Sequence, residues 1–193
     1  MNIIDKFHNW RRKQRWNKQY KNGRWKNLRN DIESERYKTI VDFINKHGNP
    51  NPSVLDLGCG EGILCERMEK GSYYEFVGMD FSSESIKQAI SKKLDKATFK
   101  VADLHYFKPD KKYDAIVFNE AFYYVHDSEK AKVLQIMITA LNDNGIIINS
   151  IYREGAGSWE YFEIDDLKQI DFTKVITTEE KTYWKIGVYK QTN

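Results

Sequence analysis

Four short stretches of this chain hold residue types that do chemistry. The first, VFNEAFYYVHD from Val117 to Asp127, begins like a buried strand. It ends in Glu120, Tyr123, Tyr124, His126 and Asp127, groups that hold or move a proton. The second, DLGCGEG from Asp56, alternates Gly58, Gly60 and Gly62 where the backbone must turn and open a helix. Missing side chains there let a ligand approach the main chain, and a helix N-terminus offers free N–H groups. The third ends at Asp80, 22 residues beyond Gly58, where an acid can accept both hydroxyls of a ribose. The fourth is VADL, with Asp103 placed to accept from an amino group such as that of adenine.

Several chemistries are disfavoured. The loop reads G-x-G-x-G, not the G-x-G-x-x-G of dinucleotide proteins nor the G-x-x-x-x-G-K-[ST] of triphosphatases. Asp56 and Glu61 add negative charge beside it, which suits a ligand with a positive end rather than a pyrophosphate. Cys59 and Cys65 read as reduced small hydrophobes. Four single His and no C-x-x-C give no metal-ligand spacing.

These residues need elements to position them. Ile32, Ile40, Val41 and Ile44 have helical spacing, with Gly48 as a stop and NPNP at 49–52 resetting the chain. The chain then alternates. SVLDLG is a strand and EGILCERMEKG a helix ending at Gly71. YEFVGMD is a strand, and SSESIKQAISKKL a helix capped by Ser82 or Ser83. ATFKVAD and YDAIVFN are strands. SEKAKVLQIMITALNDNG is a helix capped by Asp127 or Ser128, and GIIINSIY a strand. EIDDLKQI reads as a short helix. FTKVITTEE and KTYWKIGVYKQ form a hairpin across an acidic turn. Strands alternating with helices predict a mostly parallel sheet covered on both faces, with one antiparallel strand from the hairpin. Ligands bind such sheets outside the carboxyl ends of the strands, where all four stretches fall.

Composition frames the reading. Hydrophobic residues make up 40% of the 193 and aromatics 14%, enough for one globular domain. Apolar runs are too short to span a bilayer and the N-terminus lacks the apolar core of a secretion signal. A cytoplasmic protein with no membrane partner is expected. Residues 1–38 hold 12 Lys/Arg against 4 Asp/Glu, a local +8, whereas the remainder holds 19 against 24, a local −5. A basic arm over residues 1–30, with Trp10, Trp16, Tyr20 and Trp25 interleaved, precedes a domain over 31–193.

VLDLGCGEG, VGMD, VADL and YDAIVFNEAFYYV, in that order over about residues 53–190, resemble the successive motifs of the class I S-adenosylmethionine-dependent methyltransferases. The resemblance implies a Rossmann-like α/β fold, its seven strands ordered 3-2-1-4-5-7-6 with strand 7 antiparallel, and S-adenosylmethionine as cofactor. It also explains the acidic loop, since the cofactor carries a sulfonium and an ammonium. Carried over, Gly58 and Gly60, with Cys59 between them, pack against the methionine part. Asp56 orients the loop and faces the ammonium. Asp80 binds the ribose, Phe81 lies by the adenine, and Asp103 with the Leu104 backbone reads the adenine edge. Asn119 lines the floor near the methyl group. RWNKQYKNGRW resembles the aromatic, basic lead-in of small methyltransferases, in which Trp16, Tyr20 and Trp25 close the pocket and the Tyr20 hydroxyl reaches the methionine carboxylate. An amphipathic helix packed on the sheet edge is the alternative, and a nucleic-acid surface a third.

NEAF is not the [DNS]-P-P-[YFW] that resembles base or amide N-methylation. No Cys stands there for a carbon-5 pyrimidine mechanism. Asn119–Glu120 and Asn149–Ser150 stand where metal-dependent O-methyltransferases use acidic ligands. The expectation is a metal-independent O- or N-methyltransferase for a polar small molecule. NEAFYYV also resembles the matching stretch of small bacterial methyltransferases acting on sugars, nodulation-type N-methyltransferases included, so a sugar-like acceptor is expected. An RNA methyltransferase using the basic arm is the alternative. Glu120, Tyr123, Tyr124 and His126 are the candidate proton handlers. Glu120 could instead interact with the arm, one Tyr could pack in the core, and His126 could cap the next helix. Arg153 could hold a phosphate or carboxylate of the substrate, or belong to a surface loop. The oligomeric state is left open by the sequence.

Overall fold

Side chains alternate across a strand, and here that alternation feeds two separate layers of core. The computed structural model describes residues 3–179 and 181–192. Met1 and Asn2 of the arm, Glu180 of the acidic turn and Asn193 lie outside the described residues. Seven strands form one sheet: β1 (Ser53–Leu57), β2 (Glu75–Asp80), β3 (Ala97–Val101), β4 (Tyr113–Asn119), β5 (Leu141–Tyr152), β6 (Leu167–Ile176) and β7 (Tyr183–Gln191). Their order is β3-β2-β1-β4-β5-β7-β6. Strand β7 is antiparallel to both β5 and β6, the topology the motifs imply.

On one face Val54, Phe76, Val117 and Ile148 meet Ile40 and Ile44 of α2 (Asp31–His47) and Ile86 of α4 (Ser83–Ser91). On the other, Leu55, Val77, Phe118 and Ile147 meet Val133, Leu134 and Met137 of α5 (Asp127–Thr139). Helix α4 begins where Ser82 Oγ accepts from the Ser85 N–H at 3.2 Å, an N-cap that satisfies an orphan donor. The first helix, α1 (Ile3–Lys21), and the 3-10 turn Arg24–Arg29 cross the carboxyl ends of the strands. Asn9, Arg12 and Asn17 of α1 bond to residues after β3, β4 and β2 respectively.

Four expectations change. EIDDLKQI is not a helix. Leu167 starts β6, which pairs with β7 from Leu167↔Gln191 to Ile176↔Tyr183, with a register shift between Gln169 and Asp171. Pairing along the length of β7 outweighs a weak local helical preference. The helix after the glycine loop, α3, covers only Ile63–Arg67, because Met68 turns extended (φ −74°, ψ 139°). Helix α5 stops at Thr139, and Leu141 already pairs with Tyr113. Asn142 Nδ2 donates to Asp114 Oδ1 at 3.0 Å there, so the polar run ties into the sheet instead of extending the helix. Finally, α5 is capped by His126 rather than Asp127 or Ser128: its Nδ1 accepts from the Ser128 N–H at 3.3 Å.

Candidate active site

A cavity of about 470 Å³ opens at the carboxyl ends of β1, β2 and β4, under α1. Its floor is the glycine turn. Gly58 and Gly60 have φ of 80° and 55°, the left-handed region that disfavours other residues. The Gly58 and Cys59 N–H groups both donate to the Met79 carbonyl, at 2.8 and 3.0 Å. A Cβ on Gly58 would stand 2.6 Å from the Ala121 Cβ, and one on Gly60 2.6 Å from the Tyr20 hydroxyl. The turn is therefore bare because nothing else fits.

Asp80 closes the end of β2. Its Oδ2 accepts from the Gly60 N–H at 3.1 Å and its Oδ1 from the Ser82 N–H at 2.7 Å. Burial pushes its carboxyl up to about 6, against the pull of those N–H groups. Asp56, two residues before the turn, is fully buried, and neither oxygen has a hydrogen-bond partner among the described residues. Burial, then the charge of Asp80, raises it to about 8 while Arg36 opposes. Asp56 lies outside the lining, so it stands behind the glycine turn and does not face an ammonium in the cavity.

The arm forms the cover. Trp16 stacks on Trp25 with ring centroids 4.4 Å apart and planes 11° apart. Trp16 also meets Tyr124 at 5.3 Å and Phe81 at 6.2 Å, edge to face. Tyr20 is buried, and its phenol is raised well above the usual value, by burial first and then by Asp80. The indole N–H groups of Trp16 and Trp25, both in the cavity wall, lack partners among the described residues. Arg12 Nη1 donates to the Tyr124 carbonyl at 2.6 Å, and Asn17 Oδ1 accepts from Ser82 Oγ at 2.8 Å. With Trp16, Tyr20 and Trp25 turned inward, the arm cannot offer those three rings to stack nucleic-acid bases.

Asp103 and Leu104 line the cavity after β3. Asp103 is already well occupied: its Oδ2 accepts from Asn9 at 2.5 Å, and its Oδ1 from the backbone and ring of His105 at 3.0 and 2.6 Å. Although burial raises its carboxyl, the His105 bonds hold it below the usual range. His105 Nε2 accepts from the His126 N–H at 3.0 Å, so Nδ1 carries the ring's proton toward Asp103.

At the other end stand Asn119 and Glu120. Glu120 has φ +58°, a strained conformation for a residue with a side chain. Its Oε1 accepts from Ser150 Oγ at 2.9 Å, and its Oε2 from the Tyr123 hydroxyl and the Tyr152 N–H at 3.0 Å each. Burial pushes this carboxyl up to about 7, against Arg36, Ser150 and Tyr123. Tyr123 and Tyr124 both line the cavity, their rings 4.5 Å apart; neither is a core ring.

The sequence reading missed Arg36. This residue of α2 is 2% exposed. It forms an ion pair with Glu33 at 2.8 Å, donates to Asn119 Oδ1, and lies 4.2 Å from the Tyr37 ring centroid. A signal existed: Ile32, Arg36, Ile40 and Ile44 are spaced by four, so Arg36 stands on the buried stripe of its helix. Besides Asp56, two sequence candidates fall outside the lining. His126, with 44% of its side chain exposed, caps α5 and lies 3.6 Å from Asp5. Arg153 is exposed and bonds the Lys181 carbonyl at 2.7 Å; the β5 end turns it toward the hairpin.

Residues 48–185 match the family model described as a methyltransferase domain. The chain belongs to this family, the S-adenosylmethionine-dependent methyltransferases of class I. Malonyl-[acyl-carrier protein] O-methyltransferase 2 of Ilyobacter polytropus is 30% identical over 123 residues, which is 62% of this chain and 45% of that relative. The chain thus spans less than half the length of that curated relative. Among solved structures, the N-methyltransferase NodS of Bradyrhizobium japonicum WM9 in complex with S-adenosylhomocysteine superposes with a TM-score of 0.75. It is 15% identical, over 88% of this chain and 92% of its own. The 1,6-didemethyltoxoflavin-N1-methyltransferase of Burkholderia thailandensis gives 0.77 at 11% identity, over 96% and 90%. At such identities the likeness is one of fold.

The residues present fit this cofactor. Gly58 and Gly60 line the cavity without side chains, and Asp80 offers a buried carboxylate beside them. Two indole N–H groups stand unpartnered in the wall, and buried donors without partners call for an acceptor to complete them.

Proposed function

We propose that this chain transfers a methyl group to an oxygen or nitrogen of a small polar, sugar-like acceptor, without a metal. The observation that carries the reading is the Glu120 carboxyl in the cavity wall, pushed up to about 7 and bonded to the Tyr123 hydroxyl. A base works best when its pKa lies near the working pH.

Bound in this cavity, S-adenosylmethionine supplies an electrophilic methyl group on a sulfonium. Gly58, Cys59 and Gly60 pack against its methionine part. Asp80 accepts the ribose hydroxyls, Phe81 lies beside the adenine, and Asp103 with the Leu104 backbone reads the adenine edge once Asn9 yields. Trp16 and Tyr20 exclude water from above. Asn119, held by Arg36, lines the floor beside the glycine turn, near the methyl group. The acceptor lies toward Glu120, which takes its proton directly or by way of Tyr123. Tyr123, Tyr124, Tyr152 and Trp184 together with Asn30 and Thr182 line this end, mixing ring faces with hydrogen-bonding groups as a hydroxylated acceptor requires. The ends of β4 and β5 support a metal-free reaction, because Asn149 and Ser150 are buried and Ser150 is bonded to Glu120.

Calorimetric titration with S-adenosylmethionine should give binding that Asp80→Ala weakens by about tenfold or more. Incubation with panels of sugars, amino sugars and nucleotide sugars, read by product mass, should then show a gain of one methyl group. Unchanged affinity in Asp80→Ala would remove the cofactor assignment, and methylation confined to RNA or to apolar acceptors would remove the acceptor class.

A further inference from the structure

The inner face of α1 covers the cavity, but its outer face carries a feature that methyl transfer does not use. Ile3, Ile4, Phe7 and Trp10 are 83%, 62%, 55% and 56% exposed. Positions 3, 7 and 10 fall on one stripe of a helix, with 4 beside it. Phe7 and Trp10 stack on each other at 6.0 Å, and the Arg11 guanidinium lies 6.0 Å from the Phe7 centroid. Single exposed apolar residues are ordinary, but four together on two turns mark a contact surface.

The surrounding charge says what kind. From Lys6 to Arg29 the chain has ten Lys or Arg and no Asp or Glu. Lys6 and Arg11 flank the apolar stripe, and Lys18 and Lys21 continue the same outer face toward the C-terminal end of the helix, all exposed. A helix that presents bulky apolar groups beside Lys and Arg suits the plane of a lipid interface, its apolar groups among acyl chains and its cations among anionic headgroups. Nucleic acid would use the cations and the two rings but gains nothing from Ile3 and Ile4. Because Asn9 and Arg12 bond to residues beyond the strand ends, and Trp16 and Tyr20 line the cavity from the same side of the helix, the outer face points away from the body on the side of the cavity.

We infer that α1 docks this enzyme on an anionic lipid surface through Ile3, Ile4, Phe7 and Trp10, with Lys6, Arg11, Lys18 and Lys21 facing the headgroups. No helix among the described residues is long and apolar enough to cross a membrane, so the contact is peripheral. Binding of this kind depends on both apolar area and lipid charge.

Sedimentation of the full chain with vesicles of phosphatidylcholine alone, and of phosphatidylcholine with phosphatidylglycerol, tests it. Partition should favour the anionic vesicles by about tenfold or more and weaken in high salt. The double change Phe7→Glu with Trp10→Glu should lower that partition by at least about tenfold, with cofactor affinity unchanged. Arg11→Glu with Lys18→Glu should do the same while leaving the apolar stripe intact, so a folding defect in one pair does not decide the matter. Lipids brominated on their acyl chains should quench tryptophan fluorescence in the wild type and much less in Trp10→Phe. Absence of vesicle binding, or equal partition to neutral and anionic vesicles, would overturn the inference. So would a wild-type dimer that the Phe7/Trp10 change converts to monomer, or binding to RNA in place of vesicles.

Discussion

Two acidic residues close two ends of one cavity, and they are held in opposite ways. Asp80 accepts from backbone N–H groups of Gly60 and Ser82, all within one β-turn-α corner and its neighbour. Glu120 accepts from the side chains of Tyr123 and Ser150 and the backbone of Tyr152, and it answers to Arg36 on α2. The first end is built of main chain over a short stretch of sequence. The second is assembled from side chains of three distant segments, on a strained residue. Main chain fixes geometry whatever the neighbouring residues are, which suits a constant cofactor. Side chains can be exchanged one by one, which suits an acceptor that differs from one family member to the next.

Glu120→Gln tests this contrast most severely. It should lower turnover about 10²-fold or more while leaving cofactor affinity within about threefold, read by steady-state rates beside calorimetry. Equal loss at both ends would show that the ends are not separate. Gly58→Ala should act on the other end: a Cβ 2.6 Å from Ala121 at φ 80° costs about 1–3 kcal/mol from backbone strain alone. The melting temperature should fall and cofactor binding should weaken by about tenfold or more.

The pH dependence of turnover sharpens the comparison further. Glu120 must be ionised to take a proton, so the rate should rise with pH through about 7. Arg36 favours the ionised form, so Arg36→Gln should move that limb to higher pH. A limb that stays in place, or moves down, would separate Arg36 from Glu120. The smallest effect belongs to His126. Its ring caps α5 outside the cavity, so His126→Ala should cost about 0.5–1 kcal/mol in chemical denaturation with turnover unchanged. A large loss of rate would return His126 to the chemistry.

The same contrast governs what the sequence made legible. Gly58, Gly60 and Asp80 could be read because a backbone-built site leaves its mark in consecutive residues and fixed strand-end spacing. The sheet order followed from the motifs and the terminal hairpin. Glu120, Tyr123 and Tyr124 were visible as a cluster, but their division of labour depends on Ser150, Tyr152 and Arg36, which only tertiary packing brings near. Arg36 interrupts the apolar stripe of α2, and only the packed structure shows its guanidinium turned inward. Residues 163–170 failed for a related reason: Leu167 is extended because β7 offers it a partner, which no local pattern records. His126 and Arg153 had suitable chemistry, but His126 follows the 3-10 turn Phe122–Tyr124 and caps α5, and Arg153 bonds the Lys181 carbonyl of the hairpin.

The arm's place across the strand ends also has a kinetic meaning. Asn9, Arg12 and Asn17 fasten α1 over the mouth, and the Tyr20 hydroxyl rests on Gly60. A cover that shields the reaction must let spent cofactor out before fresh cofactor enters. Under the proposed function, the breaking of these few hydrogen bonds is a step of every cycle. Loosening one of them, as in Arg12→Ala, would speed exchange while admitting water, so the fastest arm and the best-sealed arm are different arms.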